Sequence, residues 1–228
     1  MASPFPSPGT ARKASQQRIT IRRIRRPELP VDTVALSRFL IGKVVVHDLP
    51  AGRVSGRIVE TEAYPPGDPA GHHFRGPTPR IRSMYLAPGH AYVFFNYGAH
   101  FMLNVVSERP ETAAAILIRA LEPLEGIEIM QRHRKTTELL DLTRGPGRLA
   151  KALQIDRRHD GVDLCAEEKL WLGAIDHPVG RIGKSVRIGI TRAADKLLRF
   201  FERSNPFVSG PRRLLQPSPK QPKRRRAA

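Results

Sequence analysis

The chain has 228 residues, 40% of them hydrophobic, a formal net charge of +18 and one cysteine, Cys165. This length holds one sizeable core, and a lone cysteine excludes a disulfide framework and any cysteine-built zinc or iron–sulfur site. No apolar run approaches the ~20 residues of a membrane span and no signal-type apolar stretch stands near the N-terminus, so a soluble, intracellular protein is expected.

The charge is unevenly placed. Residues 1–26 carry seven Lys/Arg and no acid, and residues 211–228 carry seven more, again without an acid, whereas the body between them holds 25 basic and 21 acidic residues. Two Pro- and Ser-containing arms, expected to be disordered, therefore flank one domain over 27–210. Such arms bind polyanions such as nucleic acid by counterion release and without reading sequence, and the same composition suits a localisation signal or contact with acidic membranes.

Along the body, Pro30 and Asp32 open an apolar helical pattern through Val34, Leu36, Phe39 and Leu40 that stops at Gly42. Residues 43–48 are β-branched and read as a strand; a turn at 50–52 leads into a second strand over 54–63, so the two form a hairpin. Residues 65–79, dense in Pro, Gly, Asp and His, make a long loop of the kind that carries function. Strands are predicted over 91–96, 100–107 and 114–120, helices over 124–134 and from the Gly145-Pro146-Gly147 turn to Leu153, and late strands at 171–172 and 186–190. The reading is a mixed α/β (α+β) domain.

The pattern richest in chemistry is Arg57-Ile-Val-Glu-Thr-Glu-Ala-Tyr64. With a period of two, Ile58, Glu60, Glu62 and Tyr64 share one face, so a carboxylate stands beside an aromatic ring. That arrangement activates water next to a stacked flat ring, although an acid on a strand is most often only solvated. Two carboxylates at i and i+2 do not straddle a scissile bond as a glycosidase pair must, which favours a mechanism with one. His72 and His73 point apart and do not chelate one metal, and Gly183-Lys184-Ser185 lacks the leading glycine of a P-loop. No metal or cofactor is expected. Tyr97-Gly98, at a turn between two strands, is ordinarily a hairpin tip, and an aromatic at such a tip also serves as a wedge into stacked bases.

Residues 57–64, Asp68-Pro69-Ala70-Gly71-His72, Arg75–Pro79, Pro88–Val93, Tyr97-Gly98, Leu103–Val106, Ile118–Gly126, Arg144–Leu149 and Asn205–Val208 together resemble the alkyladenine (3-methyladenine) DNA glycosylases over most of 30–210. The resemblance implies a single compact domain with a curved antiparallel sheet, flanking helices and a protruding β-hairpin that enters the minor groove. It implies Glu62 as general base, Arg119 as the holder of the attacking water, and His72 as a pocket residue that contacts the backbone beside that water. Tyr64 and Phe94 match the pair that sandwiches the extruded base, Asn104 the residue that opposes guanine's exocyclic amine, and Tyr97 the intercalating wedge. Some relatives carry tyrosine at the position of Phe94, which removes a phenolic contact here.

The partner implied is duplex DNA with alkylated purines, 3-methyladenine or 7-methylguanine, extending to hypoxanthine or ethenoadenine. The implied enzyme is a monomer in the cytoplasm on the nucleoid, or in the nucleus or an organelle of a eukaryote. No Schiff-base lysine is among the matched residues, so a monofunctional enzyme that leaves an abasic site is expected. A non-catalytic binder of distorted DNA would use the same arms and wedge; a small-nucleoside hydrolase would share the acid and the ring but need neither.

Overall fold

A computed structural model describes residues 19–96 and 98–215. The N-terminal arm up to residue 18, the C-terminal tail from residue 216, and Tyr97 lie outside the described residues.

Asp32 caps α1 (Thr33–Phe39), its side chain accepting from the Ala35 N–H at 2.7 Å. β2 (Val44–Leu49) and β3 (Gly52–Tyr64) form the expected hairpin, in register from Val44↔Arg57 to Leu49↔Gly52. The loop after β3 contains two 3-10 turns, His72–Arg75 and Pro79–Tyr85. β4 (Ala91–Asn96) and β5 (His100–Val106) make the second hairpin, and β6 (Ala115–Glu125) returns beside β3. α2 (Ile127–Arg134), α3 (Leu139–Thr143) and α4 (Pro146–Ala152) follow, then β7 (Leu170–Ala174), β8 (Ile182–Ser185) and β9 (Arg199–Glu202).

All these strands join one antiparallel sheet. A two-residue β1 (Arg22–Arg23) starts the order β1-β7-β2-β3-β6-β5-β4, and β9, with β8 outside it, pairs with the far end of β3. β3 is thus central: β6 runs along one side, while β2 and β9 share the other. Leu36 and Leu40 of α1, Met130 of α2 and Leu149 of α4 pack with Ile58, Ile116, Ile118 and Phe200 of the sheet into the main core. No helix among the described residues is long and apolar enough to cross a membrane.

Four expectations need correction. Residues 22–26 are not part of a disordered arm: Arg22–Arg23 pair with β7, Ile24 is buried in the core, and the Arg23 guanidinium lies 4.6 Å from the Trp171 ring centroid. Helix α2 starts later than 124, because β6 keeps pairing with β3 as far as Ser55↔Glu125. Residues 186–190 are loop rather than strand, and β8 and β9 lie either side of it.

The fourth concerns β3 itself. Ile58 pairs with Leu121 and Glu60 with Ala120, so Val59 is an extra residue; Thr61 then pairs with Ile118, so Arg119 is an extra residue on β6. Ile58 and Ala63, of opposite parity, both enter the main core, while Val59 packs with Phe201 and Ala120. The alternation expected from residue 58 onward is reversed at Val59, leaving Ile58 on the helix side and Glu60, Glu62 and Tyr64 together. Bulges of this kind bend a strand and re-aim a side chain. Gly183, for its part, is a β8 residue pressed on Phe201, whose ring would stand 2.7 Å from an added Cβ; it serves a close sheet contact, not a phosphate.

Candidate active site

The re-aimed side chain is that of Arg119, and it enters a buried cluster of charge. Glu60 and Glu62 are both fully buried. Arg119 donates from Nε to Glu60 Oε1 at 2.8 Å and places Nη1 3.1 Å from Glu62 Oε1. Glu60 takes three further donors: Arg199 donates from Nε to Oε1 at 2.7 Å, the Ser209 hydroxyl to Oε1 at 3.1 Å and the Ser209 N–H to Oε2 at 2.6 Å. Arg199 is itself held by the Ser185 hydroxyl at 2.8 Å and the Ser209 carbonyl at 2.7 Å. A buried charge persists only when paired and hydrogen-bonded, and Glu60 meets that condition with donors from three chain segments.

Glu62 is held more sparingly. Oε1 accepts from the Ile188 N–H at 2.8 Å and faces Arg119, and Oε2 accepts from the Tyr64 hydroxyl at 2.9 Å. A carboxylate offers about four lone-pair sites, so one on Oε2 is left. Burial, reinforced by Glu60, pushes the Glu62 carboxyl above the usual carboxylate range, against Arg119, Ile188 and Tyr64, which favour the ionised form. Burial, with the Glu62 charge beside it, likewise raises the Tyr64 phenol, which stays a donor. Arg119 is raised too: burial alone would lower it, and the two carboxylates outweigh that.

Above this cluster lies a cavity of about 420 Å³, within the range that encloses small molecules. Tyr64, His72, Phe94, Asn104 and Arg119, expected together from the sequence, all line it. Glu62 does not; Tyr64, Arg119 and Ile188, which hold it, form the surface over it. Phe94 stacks on Tyr92 with centroids 5.3 Å apart and meets the edge of His72 at 4.5 Å, while His72 Nδ1 lies 2.8 Å from the Tyr92 hydroxyl. His72 is exposed at the mouth, yet desolvation against these rings, followed by nearby Arg80, pulls its pKa below that of an ordinary histidine, so the ring is neutral near pH 7. Asn104 is buried, its amide nitrogen donating to the carbonyls of Tyr92 at 3.0 Å and Met102 at 3.4 Å, which turns its own carbonyl oxygen away from them.

Sequence reasoning left Tyr92, Ile188, Arg199 and Ser209 without a role. The only local signal for Tyr92 is its parity with Phe94 on β4. Ile188 acts through its backbone N–H, which no side-chain pattern reveals, and Arg199 and Ser209 reach Glu60 from 139 and 149 positions away. Among the described residues, no group of three or more His, Cys, Asp or Glu is placed to hold a metal ion.

Comparison with known proteins fits this geometry. Residues 28–206 match the family model of the methylpurine-DNA glycosylases. A Mesorhizobium japonicum protein is 62% identical over 191 residues, covering 84% of this chain and 92% of its own length. A Paraburkholderia phytofirmans protein is 51% identical over 200 residues, 88% and 94% of the two chains. A Chlorobaculum tepidum protein is 46% identical over 197 residues, 85% and 92%. All three carry the provisional name of 3-methyladenine DNA glycosylase.

Proposed function

Since the chain belongs to the methylpurine-DNA glycosylase family, we propose that it extrudes an alkylated purine from duplex DNA into the cavity and hydrolyses the N-glycosidic bond with a water activated by Glu62. The observation that carries this reading is the unequal placing of two buried carboxylates: Glu60 takes four donors, two of them guanidinium groups, while Glu62 takes three and is held by Tyr64, Arg119 and Ile188, all of which line the cavity. A glycosidic bond is out of reach inside the base stack, so the target must leave it at a cost of a few kcal/mol, least for damaged or poorly paired bases.

In this mechanism the base enters between Tyr64 and Phe94, with His72 at its edge and Tyr97 in the gap it leaves. Alkylation at a ring nitrogen makes the base cationic, which weakens its glycosidic bond and adds about 0.5–2 kcal/mol of attraction to an aromatic wall. Glu62 takes a proton from the water as the water attacks the sugar carbon, and Arg119 keeps the carboxylate ionised and the water in place. A raised pKa suits this role, because a base works best when its pKa approaches the operating pH. A neutral lesion such as hypoxanthine needs its leaving group to accept a proton or a hydrogen bond as well, and the neutral His72 ring, which keeps one N–H, is the lining group suited to donate it. Among the described residues the lining contains no lysine, which supports a monofunctional reaction that ends at an abasic site on cytoplasmic, nucleoid DNA.

The test is incubation with duplexes carrying 3-methyladenine, 7-methylguanine, hypoxanthine or ethenoadenine, followed by alkaline cleavage at abasic sites. Release that disappears in Glu62→Gln supports the mechanism; equal release by Glu62→Gln, or none by the wild type, refutes it.

A further inference from the structure

A second buried ion pair lies behind the cavity and has no part in the Glu60–Arg119–Glu62 cluster. Arg187 grips both oxygens of Asp68, Nη2 to Oδ1 at 3.1 Å, and neither side chain has any exposure. Arg187 Nη1 also donates to the Ala63 carbonyl at 3.0 Å, and its guanidinium carbon stands 4.6 Å from the centroid of Tyr64. The Ala70 N–H donates to Asp68 Oδ1 at 3.1 Å. Replacing such a pair with apolar groups is often neutral or stabilising, so stability alone does not account for it.

What the pair does control is geometry. Asp68 opens the loop that supplies Pro69, Ala70, Gly71 and His72 to one wall of the cavity, and Arg187 opens the segment that supplies residues 188–192 to the other. The Tyr64 ring lies against the guanidinium that joins them. The residue after Arg187 is Ile188, whose N–H holds Glu62 Oε1 at 2.8 Å, and Gly189, at φ +76, turns the chain away immediately afterwards. Ile188 therefore owes its place to a fixed neighbour on one side and a sharp turn on the other.

We propose that Arg187 and Asp68 are a positioning pair that sets the Ile188 N–H on the Glu62 carboxylate and holds the Tyr64 ring at the cavity wall. This rests on the reading of Glu62 as the general base. The groups facing Glu62 are Tyr64 and Glu60 on its own strand, Arg119 on β6, Arg199 directly across on β9, and the Ile188 N–H from the loop. Only the last, with the Tyr64 hydroxyl, depends on the pair.

The experiment is Asp68→Asn in the full chain, which removes the charge and keeps the shape. The single-turnover excision rate at saturating enzyme is expected to fall between about tenfold and a hundredfold, as for a small misplacement of a reacting group, with duplex affinity within about twofold. Losing a hydrogen bond to the ionised form raises the Glu62 pKa, so the acid limb of the pH–rate profile moves to higher pH. A structural role alone would lower the rate equally at every pH, and that result overturns the proposal. A second readout needs no substrate: the Glu62 carboxyl titration followed by 13C NMR, assigned with Glu62→Gln, shifts upward in Asp68→Asn. An unmoved midpoint overturns the proposal whether or not any lesion is released, whereas a moved midpoint in a protein that releases none overturns only the general-base reading. Should Asp68→Asn not fold, Arg187→Lys keeps the charge but not the two-pronged grip, and the same shift, smaller, is expected; no shift there overturns the proposal.

Discussion

Glu60 and Glu62, two positions apart on β3, are joined by one guanidinium: Arg119 donates to Glu60 at 2.8 Å and stands 3.1 Å from Glu62. The two carboxylates are equally buried, yet Glu60 takes four donors and Glu62 three, and those that hold Glu62 line the cavity. The arginine is an extra residue in β6, separated from the extra residue Val59 of β3 by the single pair Glu60↔Ala120.

Replacing Glu62 with Gln separates activity from stability. With Glu62 as the proposed general base, the substitution is expected to lower single-turnover excision by about 10²–10⁴-fold. The raised pKa means that ionised Glu62 costs stability at neutral pH, a cost that fades as pH falls through the folded pKa toward the ordinary carboxylate value and the group protonates. Glu62→Gln is therefore expected to melt no lower than wild type at pH 7, with any advantage shrinking toward acid. Thermal melts across pH check this, and a marked fall in melting temperature at pH 7 contradicts it.

Glu60→Gln has the opposite signature. It leaves the fully buried Arg199 without its carboxylate, and breaking one side of a buried pair costs about 3–5 kcal/mol. Urea denaturation reads this directly. A loss under about 1 kcal/mol would place Glu60 among dispensable surface-like pairs.

Phe94→Ala removes one wall of the cavity. Stacking of a base on an aromatic ring contributes about 1–3 kcal/mol, so excision at limiting enzyme falls for every lesion. Phe94→Tyr keeps the ring and restores a phenol, and the ratio of hypoxanthine to 3-methyladenine release reports what that hydroxyl adds. Equal release by Phe94→Ala and wild type rules out stacking at this ring.

Asn104 is fixed by two backbone carbonyls and lines the cavity. Shortening it to Ser opens space where guanine's exocyclic amine would lie. Release of guanine from undamaged duplex, relative to 7-methylguanine, is expected to rise about tenfold, the scale of a small steric change in a pocket. An unchanged ratio would assign the discrimination elsewhere.

Deleting residues 1–18 and 216–228 removes eight basic residues and no acid from a chain of net charge +18. The slope of log affinity for undamaged duplex against log salt is expected to flatten by about 0.9 for each phosphate that the arms neutralise, with single-turnover excision retained. A slope that does not change excludes the arms as tethers to DNA.

The paired placement of Glu62 and Tyr64 is legible in sequence because strand alternation is local, and the β2–β3 hairpin is legible because its turn is short. The reversal at Val59 is not, since a bulge is a disagreement in length between two strands and shows in neither alone. Residues 186–190 look like a strand from their β-branched composition. They stay irregular because Arg187 is committed to Asp68, the Ile188 N–H to Glu62, and Gly189 to a left-handed turn. β9 escapes notice because Arg199, a charge at its start, is fully buried, and only the distant Glu60 explains that.

The long reach of the Glu60 anchor has a consequence for the order of synthesis. β3 leaves the ribosome well before Arg199 and Ser209, its partners 139 and 149 positions later, and contacts of such separation close slowly because loop entropy is lost before they form. Until those residues arrive, Glu60 and Glu62 belong to a strand with one neighbour missing. A nascent or prematurely terminated chain that stops short of Ser209 carries the aromatic wall but not the locked Glu60 carboxylate, so under the proposed mechanism competence is expected only with the last segment of the domain.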